Sequence, residues 1–260
     1  MPERTTYEPG TPSWVDLGTT DPEAAKRFYG ELFGWQAEEA GPVEETGGYA
    51  MFMLNGKRVA GVGPLQGEAP SAWTTYVSTD DLDALAGRAK DAGAIALMAP
   101  MDVMDAGRLA VFMHVAVGVI GAWQPGSHFG AEIVNEPGSF TWSELQTRDV
   151  AAAKAFGEAV FGWQPTDHDM GGMTYTVLNV GDRGVAGAMP MQPEIPERVP
   201  ANWAVYFAVD DTDATLAKVS ELGGSAVTEP MDVPDIGRFA IASDPQGAMF
   251  AVIRNAQPTT

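Results

Sequence analysis

The sequence predicts an α+β protein made by tandem duplication, with four strand-helix modules arranged as two matching halves. Three observations carry that expectation. An aromatic pattern recurs at a fixed distance: Trp14-Val15-Asp16-Leu17, Phe28-Tyr29 and Phe33-Gly34-Trp35 return as Trp142-Ser143-Glu144-Leu145, Phe156-Gly157 and Phe161-Gly162-Trp163, 128 residues on (142 − 14). In both copies strand-like alternation gives way to helical spacing. The offset also changes only in loops, to 126 by Val185 (185 − 59) and to 130 by Trp203 (203 − 73), as expected where loops absorb length differences.

In the first strand, Trp14, Asp16 and Gly18 share one face and Val15 and Leu17 the other, because strand side chains alternate. Asp21 is placed to cap a helix with Pro22 at its first position. Ala25, Phe28, Tyr29, Leu32 and Phe33 form its apolar stripe, and Gly34 ends it. A short polar segment, Gln36 to Ala40, and a Gly- and Glu-rich loop to Gly48 follow. Tyr49–Leu54 and Arg58–Val62 flank Asn55-Gly56, a strong hairpin signal, matched later by Tyr175–Val180, Gly181-Asp182 and Val185–Gly187.

A second strand-helix unit closes each half. Trp73–Thr79 precedes a helix opened by Asp80-Asp81 and ended at Gly93; Trp203–Val209 precedes one opened by Asp210-Asp211 and ended at Gly223-Gly224. Both run on into Pro-Met-Asp-Val, a Gly-Arg pair and two closing strands. The expected organisation is a tail over residues 1–11, a first domain over 12–124, a linker over 125–139, a second domain over 140–254 and a tail over 255–260.

Fifteen basic residues against 35 acidic ones leave a net charge of −20, a field that repels nucleic acid and anionic membranes. No cysteine is present, so disulfides, thiolate metal sites and a cysteine nucleophile are excluded. The opening residues lack the apolar core of a signal peptide, and no stretch is long enough to span a bilayer, so a cytoplasmic location is expected. No Gly-x-Ser-x-Gly elbow occurs, and the Gly-Gly pairs lack phosphate-loop spacing.

Asp21, Phe28-Tyr29, Phe33-Gly34-Trp35 and the late turn Asp244-Pro245-Gln246-Gly247 resemble the signature of the vicinal oxygen chelate superfamily. Glyoxalase I, bleomycin-resistance proteins and extradiol dioxygenases belong to it, and the resemblance covers residues 12–254. The likeness is strongest to its two-domain actinobacterial "hydroxylase" branch. It implies two glyoxalase-like domains, each of two βαβββ modules curled into a cup-shaped mixed sheet with helices outside. The family's metal ligands would fall at Trp14, Thr74 and Gly121 in the first half and at Trp142, Ala204 and Ala251 in the second. None of these is a good ligand. No metal and no cofactor are therefore expected. His114, His128 and His168 read as ordinary surface histidines, and Asp102/Arg108 and Asp232/Arg238 as structural ion pairs.

What remains is aromatic. Trp14, Asp16, Tyr76 and Trp123 in one half, with Trp142, Glu144 and Tyr206 in the other, fall on the faces that should line the cups. Met51 and Met53 share a face with Tyr49 and could add adaptable apolar wall. The expected function is metal-free binding of a small, aromatic organic molecule in the cups, with no catalytic residue assigned. Two alternatives stay open: a lyase or dioxygenase of the same superfamily with displaced metal ligands, and a protein-interaction scaffold. The expected partners are a small-molecule ligand, no nucleic acid and no membrane. The tandem repeat can form an internal pseudo-dimer, so a monomer is expected.

Overall fold

The structure, a computed structural model, describes residues 3–65, 67 and 69–256; the outermost residues of both expected tails lie outside the described residues. The first module is β1 (Pro12–Thr19), α1 (Pro22–Phe33), β2 (Gln36–Glu39), a short α2 (Val43–Thr46), β3 (Ala50–Leu54) and β4 (Lys57–Pro64). The second is β5 (Ala72–Ser78), α3 (Leu82–Asp91), β6 (Ile95–Val103), β7 (Gly107–His114) and β8 (Gly118–Pro125). The third is β9 (Phe140–Thr147), α4 (Val150–Phe161), β10 (Gln164–Asp169), β11 (Thr174–Val180) and β12 (Arg183–Pro190). The fourth is β13 (Asn202–Ala208), α5 (Thr212–Glu221), β14 (Ser225–Ala226), β15 (Met231–Val233), β16 (Gly237–Ser243) and β17 (Met249–Asn255).

The four main helices start as expected. Asp21, Asp81, Asp149 and Asp211 each accept a hydrogen bond from the backbone N–H three residues on, satisfying a donor the helix itself cannot. Gly34 and Gly162 end α1 and α4 in the left-handed conformation that glycine adopts without a Cβ clash.

Each half makes one mixed sheet, and the two follow the same strand order: β2-β3-β4-β1-β5-β8-β7-β6, then β10-β11-β12-β9-β13-β17-β16-β14. Within them β1/β4 and β5/β8 run parallel, as do their counterparts β9/β12 and β13/β17. The loop expected after Trp35 contains the single turn α2. The last module also departs from its partner: where β6 is one nine-residue strand, the chain forms the shorter pieces β14 and β15, separated by residues 227–230.

The halves pack through the inner faces of their sheets, with the helices at that seam. Phe28, Tyr29 and Phe33 of α1 share a core with Leu216 and Val219 of α5 and with Phe207 and Phe250. Leu82 and Leu85 of α3 share another with Phe156 and Val160 of α4. Thr75 and Ser143 bridge the two central strands at 2.8 Å. The repeated Trp clasps the halves reciprocally: Trp35 Nε1 donates to Gly138 O at 2.7 Å and Trp163 Nε1 to Gly10 O at 2.6 Å. The outer faces, those expected to line the two cups, lie away from that seam, and Trp14, Tyr76, Trp123, Glu144 and Tyr206 are each only 3–8 % exposed there.

Residues 126–134 pack along the first half. Ala131 N donates to Ser13 O and Glu132 N to Arg58 O, and Ala131, Ile133 and Val134 are buried.

Candidate functional site

Asp16 stands at the middle of the first sheet, paired to Gly61 of β4 on one side and Thr74 of β5 on the other. Its carboxylate accepts from the Tyr49 hydroxyl at 3.3 Å and is hydrogen-bonded by Tyr76. Tyr49 in turn accepts from Trp14 Nε1 at 3.0 Å. The second half repeats this arrangement. Trp142 Nε1 donates to Tyr175 at 2.9 Å; Tyr175 donates to one oxygen of Glu144 at 3.0 Å and Tyr206 to the other at 2.9 Å. Each cup thus holds a quartet of Trp, two Tyr and one carboxylate.

Burial raises the Asp16 carboxyl to about 7, and the two tyrosine hydrogen bonds only partly offset it. Burial likewise raises Glu144 above the ordinary glutamate value. Burial first, and the neighbouring carboxylate second, push Tyr49, Tyr76 and Tyr206 well above the ordinary tyrosine range, so these phenols stay neutral donors. A carboxyl that titrates near neutrality between fixed donors can accept a ligand N–H or O–H, pair with a cation, or exchange a proton.

The structure brings Trp14, Asp16 and Tyr76 together, and Trp142, Glu144 and Tyr206 together. Trp123 sits further along the first cup, where its Nε1 donates to His128 O at 2.8 Å. Tyr49 and Tyr175 complete the quartets; the sequence placed both at the start of matching hairpin strands but marked neither as a site residue. The available signal was the glycine opposite each carboxylate. A Cβ on Gly61 or Gly187 would occupy the space of the Tyr49 or Tyr175 hydroxyl, and one on Gly121 the ring of Tyr76. Glycine inside a strand marks such a close approach.

His128 departs from expectation. It is not a surface histidine: it is 4 % exposed, its ring 4.5 Å from Trp14 and 5.5 Å from Trp123, both edge-on. Among the described residues neither ring nitrogen has a partner, and burial lowers the imidazole to about 4. The chain between the halves folds back over the end of the first cup, a tertiary event with no local signal. His114 is also more than a surface group, since it stacks on Phe156 across the seam at 4.7 Å. His168 is exposed, but on β10 rather than in a loop.

A divalent metal does not fit the places the fold would offer it. Trp14, Thr74 and Gly121, and Trp142, Ala204 and Ala251, supply neither imidazole nor carboxylate. Among the described residues no three His, Asp or Glu side chains converge as a ligand set. A recess of about 740 Å³ lies outside both cups, beside Asp210, Asp232, Arg238 and Arg254; its Arg238 is already paired with Asp213 and Asp232. The first-half counterpart, Arg108, pairs with Asp83 and Asp102.

Tandem sheets of this strand order with outward cups define the glyoxalase-like class of protein. The chain belongs to the Glyoxalase/Bleomycin resistance protein/Dioxygenase superfamily, whose pattern matches residues 11–116 and 139–252. It is 45% identical to "Putative glyoxylase CFP32" of Mycobacterium bovis over 98% of this chain and 99% of that protein. It is 41% identical to "Anthracycline biosynthesis protein DnrV" of Streptomyces peucetius, over 96% and 94%. Among solved structures, the Mn(II)-bound glyoxalase from Novosphingobium aromaticivorans superposes with a TM-score of 0.65 at 16% identity, over 96% of this chain and 83% of that one. The 2,2',3-trihydroxybiphenyl 1,2-dioxygenase of Sphingomonas wittichii gives 0.66 at 14%, over 96% and 92%. At these identities the two structures speak for the fold alone. Among the described residues no helix is long and apolar enough to cross a membrane.

Proposed function

We propose that this protein binds a small planar aromatic molecule carrying a hydrogen-bond donor or positive group, and does so without a metal ion. The observation that carries this is the quartet, present in both halves: a carboxylate held by two tyrosines beside a tryptophan. Such a site orients a donor edge by a charge-assisted hydrogen bond and covers the rings with aromatic wall. The relative named for anthracycline biosynthesis is in keeping with a ligand of that shape. The chain would act as a monomer, because the inner faces that a single half would use to dimerise are already covered by the other half.

The test is a tryptophan-fluorescence titration against planar aromatic amines, using the wild type, Asp16→Asn and Glu144→Gln. Weaker binding of cationic ligands by at least one variant, with affinity rising between pH 6 and 8 as Asp16 ionises, is the expected result. Pure protein prepared without chelators should carry well under one equivalent of zinc, iron, nickel or manganese. Stoichiometric metal, or no ligand that responds to either carboxylate, would overturn the reading.

A further inference from the structure

The two cups share a quartet but differ in their walls. In the first sheet the pairs Leu109/Trp123, Val111/Gly121 and Met113/Val119 lie on the outer face with Tyr76, whose ring covers Gly121. Strand β6 extends that face, placing Met101, Met98 and Ile95 opposite Leu109, Val111 and Met113. Ala110, Phe112, Ile120 and Ala122 alternate with them and face the core shared with the other half. Ile95, Met98, Met101, Met113 and Val119 are each 38–61 % exposed. A contiguous exposed apolar face marks a binding surface, whereas scattered apolar residues do not. No charged residue occurs from Ile95 to Met101, although the chain carries a net charge of −20.

The same places in the second half, 130 residues on (231 − 101), hold Ser225, Thr228, Met231, Ser243 and Met249. Three of the five positions are polar there. The first cup is also walled at one end by His128, a buried imidazole whose two nitrogens have no partner among the described residues.

Resting on the function proposed above, we infer that the first cup is the single site for an extended, fused-ring aromatic ligand. Its polar edge meets Asp16, Tyr49 and Tyr76, and its rings lie over Val111, Met98 and Met113. From β1 to β7 is three strand spacings, on the order of 14 Å, a span suited to several fused rings and not to one. Methionine on that wall adapts to a flat ligand at little cost.

Proflavine, a planar tricyclic cation with amino edges, is the probe, titrated at physiological salt by fluorescence and calorimetry. One equivalent should bind. The double variant Met98→Thr/Met113→Ser gives the first cup the residue types of the second and should weaken binding about tenfold, the scale of two partly lost apolar contacts. Both positions are exposed, so folding should be unaffected. Unchanged affinity in that variant, with a loss in Met231→Ser/Met249→Ser, would put the ligand in the second cup. That result overturns this inference and leaves the proposed function standing. Two equal sites per chain would overturn it as well. No saturable binding to the wild type would overturn both.

Discussion

Asp16 and the glycine beside it show how one position is prepared for chemistry by its neighbours. Gly61 lets the Tyr49 ring lie over β4, and Gly187 does the same for Tyr175. Gly61→Ala or Gly187→Ala should push the tyrosine off its carboxylate and lower stability by about 1–3 kcal/mol, measured by denaturant melts. Asp16 is expected to make stability depend on pH. Its native pKa is raised above that of the unfolded chain, so the native state binds the extra proton between about 4 and 7. Stability is then full below that window and falls as pH rises through 7. Asp16→Asn should remove the fall, so its melting temperature relative to wild type should climb from pH 5 to pH 8; a constant difference would contradict the burial argument. His128 works the other way. Its native pKa of about 4 lies below the ordinary imidazole value, so stability should be lost as pH drops from about 6.5 towards 4, with Arg58 opposing and Glu132 favouring protonation. His128→Phe should flatten that limb.

The repeated elements differ where a single substitution changes a network. In the first half Trp73 Nε1 donates to the Tyr29 hydroxyl, which donates to Asp244 of the second half at 3.1 Å. Asp244 also accepts from the backbone of Gln246 and Ala248, holding the turn before β17. In the second half Gly157 replaces Tyr29, because the Trp163 ring already fills the space a Cβ would need, and Trp203 Nε1 is left buried without a partner among the described residues. The equivalent turn holds His114 instead of the aspartate, stacked on Phe156. Asp244→Ala should therefore cost about 2–4 kcal/mol, since several buried donors lose their acceptor. Trp203→Phe should be close to neutral, as it removes an unsatisfied N–H. Equal costs for the two would mean that the buried network contributes nothing.

The halves share two cores. Helix α1 belongs to the first module by sequence but packs on α5 of the fourth, and α3 packs on α4. A chain cut between Glu136 and Pro137, both exposed, should yield fragments that lack native near-ultraviolet dichroism alone and regain it when mixed. Native fragments in isolation would show that the shared core is dispensable. The fold was legible in the sequence, because duplication, helix caps and apolar periodicity are local and were written twice, at Trp14 and Trp142, at Asp21 and Asp149. Alternation about Asp16 and Glu144 likewise gave the strand faces that carry Trp14, Tyr76, Trp142 and Tyr206. The sequence by itself also put Trp14, Thr74, Gly121, Trp142, Ala204 and Ala251 at the places where the family resemblance implies metal ligands. Only the tertiary structure decided that Tyr49 and Tyr175 close on those carboxylates, that His128 is buried between two tryptophans, and that the two cups have different walls. Those facts depend on strand register and on a segment crossing the sheet, contacts between residues distant in the chain, for which no local pattern exists.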